Sequence, residues 1–337
     1  MKLRLALLGR HSNRTPLAYP AYQALSAPWI EFVDNPESAD IILFSALKNI
    51  REEAAKLAAM QRRQCLPELV VISEEPLWDL IWEQEVFNTT VQVECEGFSA
   101  AVSVFNHFTS DLYRFDRLPY FVTSDDTFFA RYASLFHRNA SMTAADWKSL
   151  WRNAQINAAF YLERRDDEEY DRAFPKQHIY GLCRYRSLLA EEFEQSEVLR
   201  VGKGWGANPR QLLPDWHLDK LAALDRRVRF VSALENTHQQ QYITEKFFDA
   251  FAVGGIPLYW ADGPHRAHEL VEHGSFLNLY DLPVAEACER MNDFSESIEF
   301  SESYCKTQKR LANLFANTEV LRFERISMIE RILHALV

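Results

Sequence analysis

The sequence predicts an α/β protein of two domains, and three observations carry that prediction. Short apolar runs alternate with helical stretches, as expected of parallel strands with helices returning between them. The pattern occurs twice, on either side of a polar and strongly charged region. The chain has 337 residues, and single cores stop growing at roughly 250–300.

In the first half, residues 3–8 (LRLALL) read as a buried strand, and residues 30–33 and 41–44 as two more. Residues 49–64 (NIREEAAKLAAMQRRQ) read as one helix, because Ala, Leu, Glu, Lys and Arg dominate and Gly and Pro are absent. Residues 68–73 (ELVVIS) form the next strand. Residues 143–170 are polar and helix-rich and run into ERRDDEEYDR, a solvated helix end and linker. The boundary falls there, giving domains 1–165 and 166–337.

The second half repeats the alternation. HIYGLC (178–183) reads as a strand and RSLLAEEFEQ (186–195) as a helix. Residues 227–234 form a strand, and TEKFFDAFAV (244–253) a helix closed by the pair Gly254-Gly255. Residues 256–261 (IPLYWA) form the following strand. The tail, residues 322–337, is an amphipathic packing helix with Ile326, Ile329, Ile332 and Leu333 on one face, able to cross back to the first domain.

Composition narrows the function. A formal net charge of −11 is a poor match to a nucleic-acid binder, which needs cations for phosphates. The five cysteines are scattered, without CxxC or metal spacing, so a reducing, cytoplasmic setting is expected. The apolar core of the N-terminal segment is too short for a signal peptide. No window holds the roughly 18 apolar residues that span a bilayer. The expected protein is therefore soluble, with at most peripheral contact at the inner face of the membrane. Sequons at Asn13, Asn88 and Asn139 are chance matches in that setting.

The chemistry concentrates in ALENTHQQQYITEK, residues 233–246, between a strand and a helix. Ligands of such units bind beyond the carboxyl ends of the strands, where the next helix begins. Asn236, Tyr242, Glu245 and Lys246 fall there. A helix N-terminus favours an anion and disfavours a cation. Lys246 in the first turn therefore needs a compensating anion: Glu245 or a bound phosphate.

The segment ALENTHQQQYITEKFFDAFAVGGIPLYW resembles the signature of the α-1,3/4-fucosyltransferases of glycosyltransferase family 10. Asn236 and Tyr242 are six positions apart, as in that signature. GSFLNLYDL (274–282) resembles the segment that follows in the family, and VFNHFTSDLYRFDRLPYF (104–121) more weakly an N-terminal one. The departures are Leu234 in place of a Phe, Ala261-Asp262 before Gly263, and GKGWGANP (202–209) as the glycine-rich loop.

The resemblance implies a GT-B fold, two Rossmann-like domains facing across a cleft, with GDP-fucose on the C-terminal one and the acceptor on the other. It implies that Arg186 and Lys246 neutralise the pyrophosphate, with Arg184 as the alternative to Arg186. Asn236, Tyr242 and Glu245 would hold ribose, phosphate and fucose, with Glu245 counted as catalytic. The catalytic base would be Glu74 in VVISEEPLW, with Glu75 as the neighbour pointing to the other face. A carboxylate accepts a proton well when desolvation raises its pKa.

No cofactor and no obligatory metal are expected. The sequence has no Asp-x-Asp, and His265, His268 and His273 lack the spacing of a zinc helix. The implied function is inverting transfer of L-fucose from GDP-fucose to a GlcNAc-containing acceptor, N-acetyllactosamine-like or an O-antigen glycan. An α-1,3 linkage is preferred to α-1,4. The alternatives are a GT-B enzyme with another nucleotide sugar and an inactive sugar-nucleotide or glycan binder.

Overall fold

Two parallel sheets form from the apolar runs. The computed structural model describes residues 2–95, 97–206 and 213–336. The first sheet contains β1 (Leu3–Leu7), β2 (Ile30–Phe32), β3 (Ile41–Phe44), β4 (Glu68–Ile72), β5 (Thr90–Cys95) and β6 (Phe98–Phe105), in the order β2-β1-β3-β4-β6-β5. All its pairings are parallel except the β5–β6 hairpin at the edge. β3 is buried along its whole length, as a continuous apolar run covered on both faces should be.

The helix predicted over 49–64 is two helices, Leu47–Glu52 and Ala54–Arg62. Glu53 separates them, with its backbone at φ −95° and ψ 7°, away from the helical region. The bend lets Leu47 and Ile50 enter the same core as Leu57, Ala58 and Met60.

The remaining strands are β7 (Ile156–Tyr161), β8 (Ala173–Phe174), β9 (Ile179–Gly181), β10 (Val198–Val201), β11 (Val228–Ser232), β12 (Thr237–His238), β13 (Ile256–Tyr259) and β14 (Leu277–Asn278). Five of them make a parallel sheet in the order β10-β7-β11-β13-β14. The other three make a small antiparallel sheet, β12-β9-β8. The predicted strand 178–183 is thus shorter and lies outside the parallel sheet. The helix after it starts at Cys183, three residues before the predicted Arg186.

The chain divides into two compact units, which do not follow the predicted boundary at 165/166. The first comprises Met1–Asp116, Thr123–Asp126 and Arg322–Val337, and the second Arg117–Val122 and Thr127–Leu321. The reason is β7. It pairs with both β10 and β11, so the segment read as the end of the first domain lies inside the second sheet. The helix before it, Ala144–Arg152, starts with a reciprocal Thr143–Asp146 capping box. It buries Trp147 and Trp151 against Tyr304, at ring distances of 5.1 and 4.9 Å.

The last helix, Thr318–Leu336, contributes Arg322–Val337 to the first unit. There the carboxylate of Glu324 accepts the N–H of Asp116 at 3.1 Å, and Arg325 donates to the carbonyl of Thr123 at 2.8 Å. Ile329 and Ile332 are buried, while Ile326 and Leu333 are half-buried. Among the described residues no helix is long and apolar enough to cross a membrane.

The turn into β13 depends on its two glycines. Gly254 has φ +79°, and a Cβ there would fall 2.7 Å from the Trp147 ring; at Gly255 one would fall 2.5 Å from a Val231 methyl. Glycine lets the helix end in the left-handed region and the next strand start at once.

Candidate active site

β11 ends at Ser232, and the chain then passes Ala233, Leu234, Glu235 and Asn236 before the helix Glu245–Ala252. That helix forms because Thr244 caps it in extended backbone and because its residues from Phe247 to Ala252 are all buried. Glu235, buried at 3% exposure, ties the strand end to the helix start. Its carboxylate accepts the Thr244 N–H at 2.7 Å, the Thr244 hydroxyl at 2.8 Å and the Lys246 ammonium at 3.3 Å.

Lys246 also donates to Thr244 Oγ1 at 2.9 Å and pairs with Glu245 at 3.4 Å. The cation in the first helical turn thus has two carboxylates beside it. Burial pushes the Glu235 carboxyl above the usual carboxylate range; Lys246 pulls it back and Glu245 pushes it up again. The Lys246 side chain keeps 14% exposure, against 3–4% for the two glutamates beside it.

Arg186 reaches the same strand end from the helix Cys183–Glu192. It is 4% exposed; Nη1 donates to the carbonyl of Leu234 at 3.3 Å, and Nε has no hydrogen-bond partner among the described residues. Arg184, two residues earlier on a helix rather than a strand, points elsewhere and pairs with Asp171 at 2.7 Å. Asn236 is held by its backbone, whose carbonyl accepts the Leu182 N–H at 2.9 Å. Tyr242 is buried, and its N–H bonds to the carbonyl of Gln239 at 2.9 Å. Arg186, Asn236, Tyr242, Glu245 and Lys246 all belong to the second unit, and Arg186 and Lys246 contact Leu234 and Glu235 just after β11.

Beneath this surface lies a charged network that the sequence reading missed. Asp249, fully buried on the same helix, accepts from the Tyr132 hydroxyl at 2.6 Å, His217 Nε2 at 2.7 Å and the Lys220 ammonium at 2.8 Å. Burial alone would raise its carboxyl, but Lys220 and His217 outweigh that and hold it well below the usual range. The Tyr132 oxygen also lies 3.2 Å from the carbonyl of Glu245, so the network reaches the first turn of the helix. The available signal was a lone acid in the apolar run FFDAF. Glu235 stood next to Asn236 in the motif itself.

Glu74 belongs to the first unit. It follows β4 and is 1% exposed, and the Tyr19 hydroxyl donates to its two carboxylate oxygens at 3.0 and 3.2 Å. His107 Nε2 lies 3.2 Å from the backbone carbonyl of Glu74, and its ring stacks on Tyr113 at 3.9 Å. Burial pulls the His107 pKa down to about 3, partly offset by that carbonyl, so the ring is neutral and donates. Glu75 is half-buried and occupies the N-cap position of the helix Pro76–Trp82.

Among the described residues no three His, Cys, Asp or Glu side chains could hold a metal ion together. His268 instead bonds to the carbonyl of Asp262 at 2.9 Å, and His265 stacks on His238 at 4.7 Å. Of the glycine-rich stretch 202–209, residues 207–209 lie outside the described residues.

Comparison with known proteins bears on this arrangement. Residues 182–323 match the family model described as glycosyltransferase family 10 (fucosyltransferase), C-terminal. A fucosyltransferase-like protein of Arabidopsis thaliana is 36% identical over 73 residues, a match that spans 21% of this chain and 14% of that protein. A crystal structure of an α1,3-fucosyltransferase with GDP-fucose is 13% identical, with TM-score 0.43 over 94% of this chain and 91% of that one. An Anabaena protein in complex with UDP is 14% identical, with TM-score 0.40 over 100% of this chain and 99% of that one.

Proposed function

We propose, from a chain whose residues 182–323 carry the C-terminal domain of glycosyltransferase family 10, that this protein transfers L-fucose from GDP-fucose to a hydroxyl of a GlcNAc-containing glycan. Transfer is inverting, and the linkage α-1,3 rather than α-1,4. The observation that carries this reading is the cationic strand end. Lys246 stands between Glu235 and Glu245 in the first turn of the family-matched helix, and buried Arg186 lies against the preceding loop.

In this mechanism the C–O bond between fucose and the β-phosphate breaks as the acceptor oxygen attacks the opposite face of the anomeric carbon. Negative charge gathers on the departing diphosphate. Lys246 and Arg186 stabilise it, and cations preset in a water-poor site stabilise such charge far better than water does. Asn236, Tyr242 and Glu245 hold the donor, and Glu235 keeps the Lys246 ammonium in place. Glu74 takes the acceptor proton. No metal is required, since the sequence has no Asp-x-Asp to carry one on the diphosphate. The setting is cytoplasmic, in keeping with five free cysteines.

The test is an acceptor array with GDP-fucose in the presence of EDTA, with product linkage read by NMR. A fucosylated GlcNAc with an α-anomeric signal is expected. Transfer that stops in EDTA and returns with metal would overturn the metal-free mechanism. Use of another nucleotide sugar instead would overturn the donor.

A further inference from the structure

Three neighbouring strands of the second parallel sheet, β7, β11 and β13, send out connections at their carboxyl ends, where ligands of such sheets bind. The connection after β7 contains β8, His178 and β9, and the one after β11 contains β12. β9 and β12 pair, with Gly181 opposite Thr237 and Tyr180 opposite His238. The connection after β13 carries Asp262, one of the residues by which the chain departs from the family signature.

His178 and Asp262 join the first connection to the third. His178 Nδ1 lies 2.7 Å from Asp262 Oδ2, and the two side chains are 53% and 3% exposed. A carboxylate only accepts, so Nδ1 carries the proton and the neutral ring presents Nε2 as a bare acceptor. Among the described residues Nε2 makes no hydrogen bond. The other Asp262 oxygen faces buried His238 Nε2 at 3.3 Å. Trp260, also buried, stands between the half-buried rings of Tyr180 and Tyr280, at 5.0 and 4.6 Å.

We propose that the His178–Asp262 pair recognises a hydroxyl of the sugar carried by the nucleotide, with Asp262 as the positioning residue that aims the ring. This rests on the reading of the carboxyl end of β11 as the donor site. A diphosphate offers acceptors alone and leaves a bare Nε2 unsatisfied, whereas a sugar hydroxyl donates to it. A deoxy sugar such as fucose also has a methyl group, and Tyr180, Trp260 and Tyr280 supply apolar rings beside the pair. The same construction occurs one strand over, where buried Glu235 holds the more exposed Lys246. Ser232 pairs with Leu258, so Glu235 and Asp262, three and four residues further on, lie about equally far beyond the strand ends.

The experiment is isothermal titration of wild type, His178→Ala and Asp262→Ala with GDP and GDP-fucose at about pH 8, where an ordinary imidazole is neutral. His178→Ala should bind GDP-fucose about 3–10-fold more weakly, the loss of one hydrogen bond, and GDP as wild type does. Asp262→Ala, which releases the ring, should shift GDP-fucose in the same direction; if it does not fold, the exposed His178→Ala decides alone. Unchanged GDP-fucose affinity in His178→Ala overturns the proposal. An equal loss for GDP overturns it too, since the contact would then lie on the nucleotide. A wild type that binds neither compound overturns the donor reading, and the role of His178 falls with it.

Discussion

Lys246 is a cation where the helix dipole disfavours one, and Glu235 and Glu245 are what hold it there. If its purpose is to meet a diphosphate, Lys246→Ala should lower turnover by about 10²–10³ while the protein stays folded. Arg186→Ala should do the same. Steady-state rates alongside circular dichroism check both, and wild-type activity in either would move the phosphate site elsewhere. The two glutamates after β4 separate as sharply. Glu74→Gln should lose roughly 10²–10⁴ in turnover, and Glu75→Gln, on the helix cap, only a few-fold. Reversed results would place the base at Glu75. Lys246, Asn236, Tyr242 and Glu245 could be singled out as candidates because they share one window of sequence. Glu235 was read as part of a motif but not as the anchor of Lys246, since its partners come from the folded turn.

At the scale of the element, the helix Glu245–Ala252 is held from below by Asp249. Asp249→Asn leaves Lys220 buried without its counter-charge and should destabilise the protein by about 3–5 kcal/mol at neutral pH. The pH dependence has a definite sign. A carboxyl held below its unfolded pKa adds stability that is present above about pH 4 and lost as pH falls through the folded value. Urea titrations should therefore show wild type and Asp249→Asn converging on acidification below that pH. Gly254→Ala forces a side chain into φ +79° and against Trp147, and should lose on the order of 2 kcal/mol by the same titration. The helix, its cap and its glycine stop could be read locally. The Asp249 network could not, because Tyr132 lies 117 residues away and His217 and Lys220 lie 32 and 29 away.

For the whole molecule, alternation of apolar runs and helices was enough to foresee two parallel sheets. It did not locate their border. Ile156–Tyr161 sits between a polar helix and a run of charges, and only its pairing with β10 and β11 shows that it is a sheet strand. The helix break at Glu53 was equally hidden, because most residues on both sides of it are good helix formers. The central claim is that the carboxyl end of β11 takes a guanosine-diphosphate sugar. Isothermal titration of wild type and Lys246→Ala with GDP, GDP-fucose and UDP-glucose tests it most directly. GDP and GDP-fucose should bind wild type with similar, better than millimolar affinity, should bind Lys246→Ala far more weakly, and UDP-glucose should bind neither. Equal binding of UDP-glucose to wild type, or unchanged GDP binding in Lys246→Ala, would contradict it.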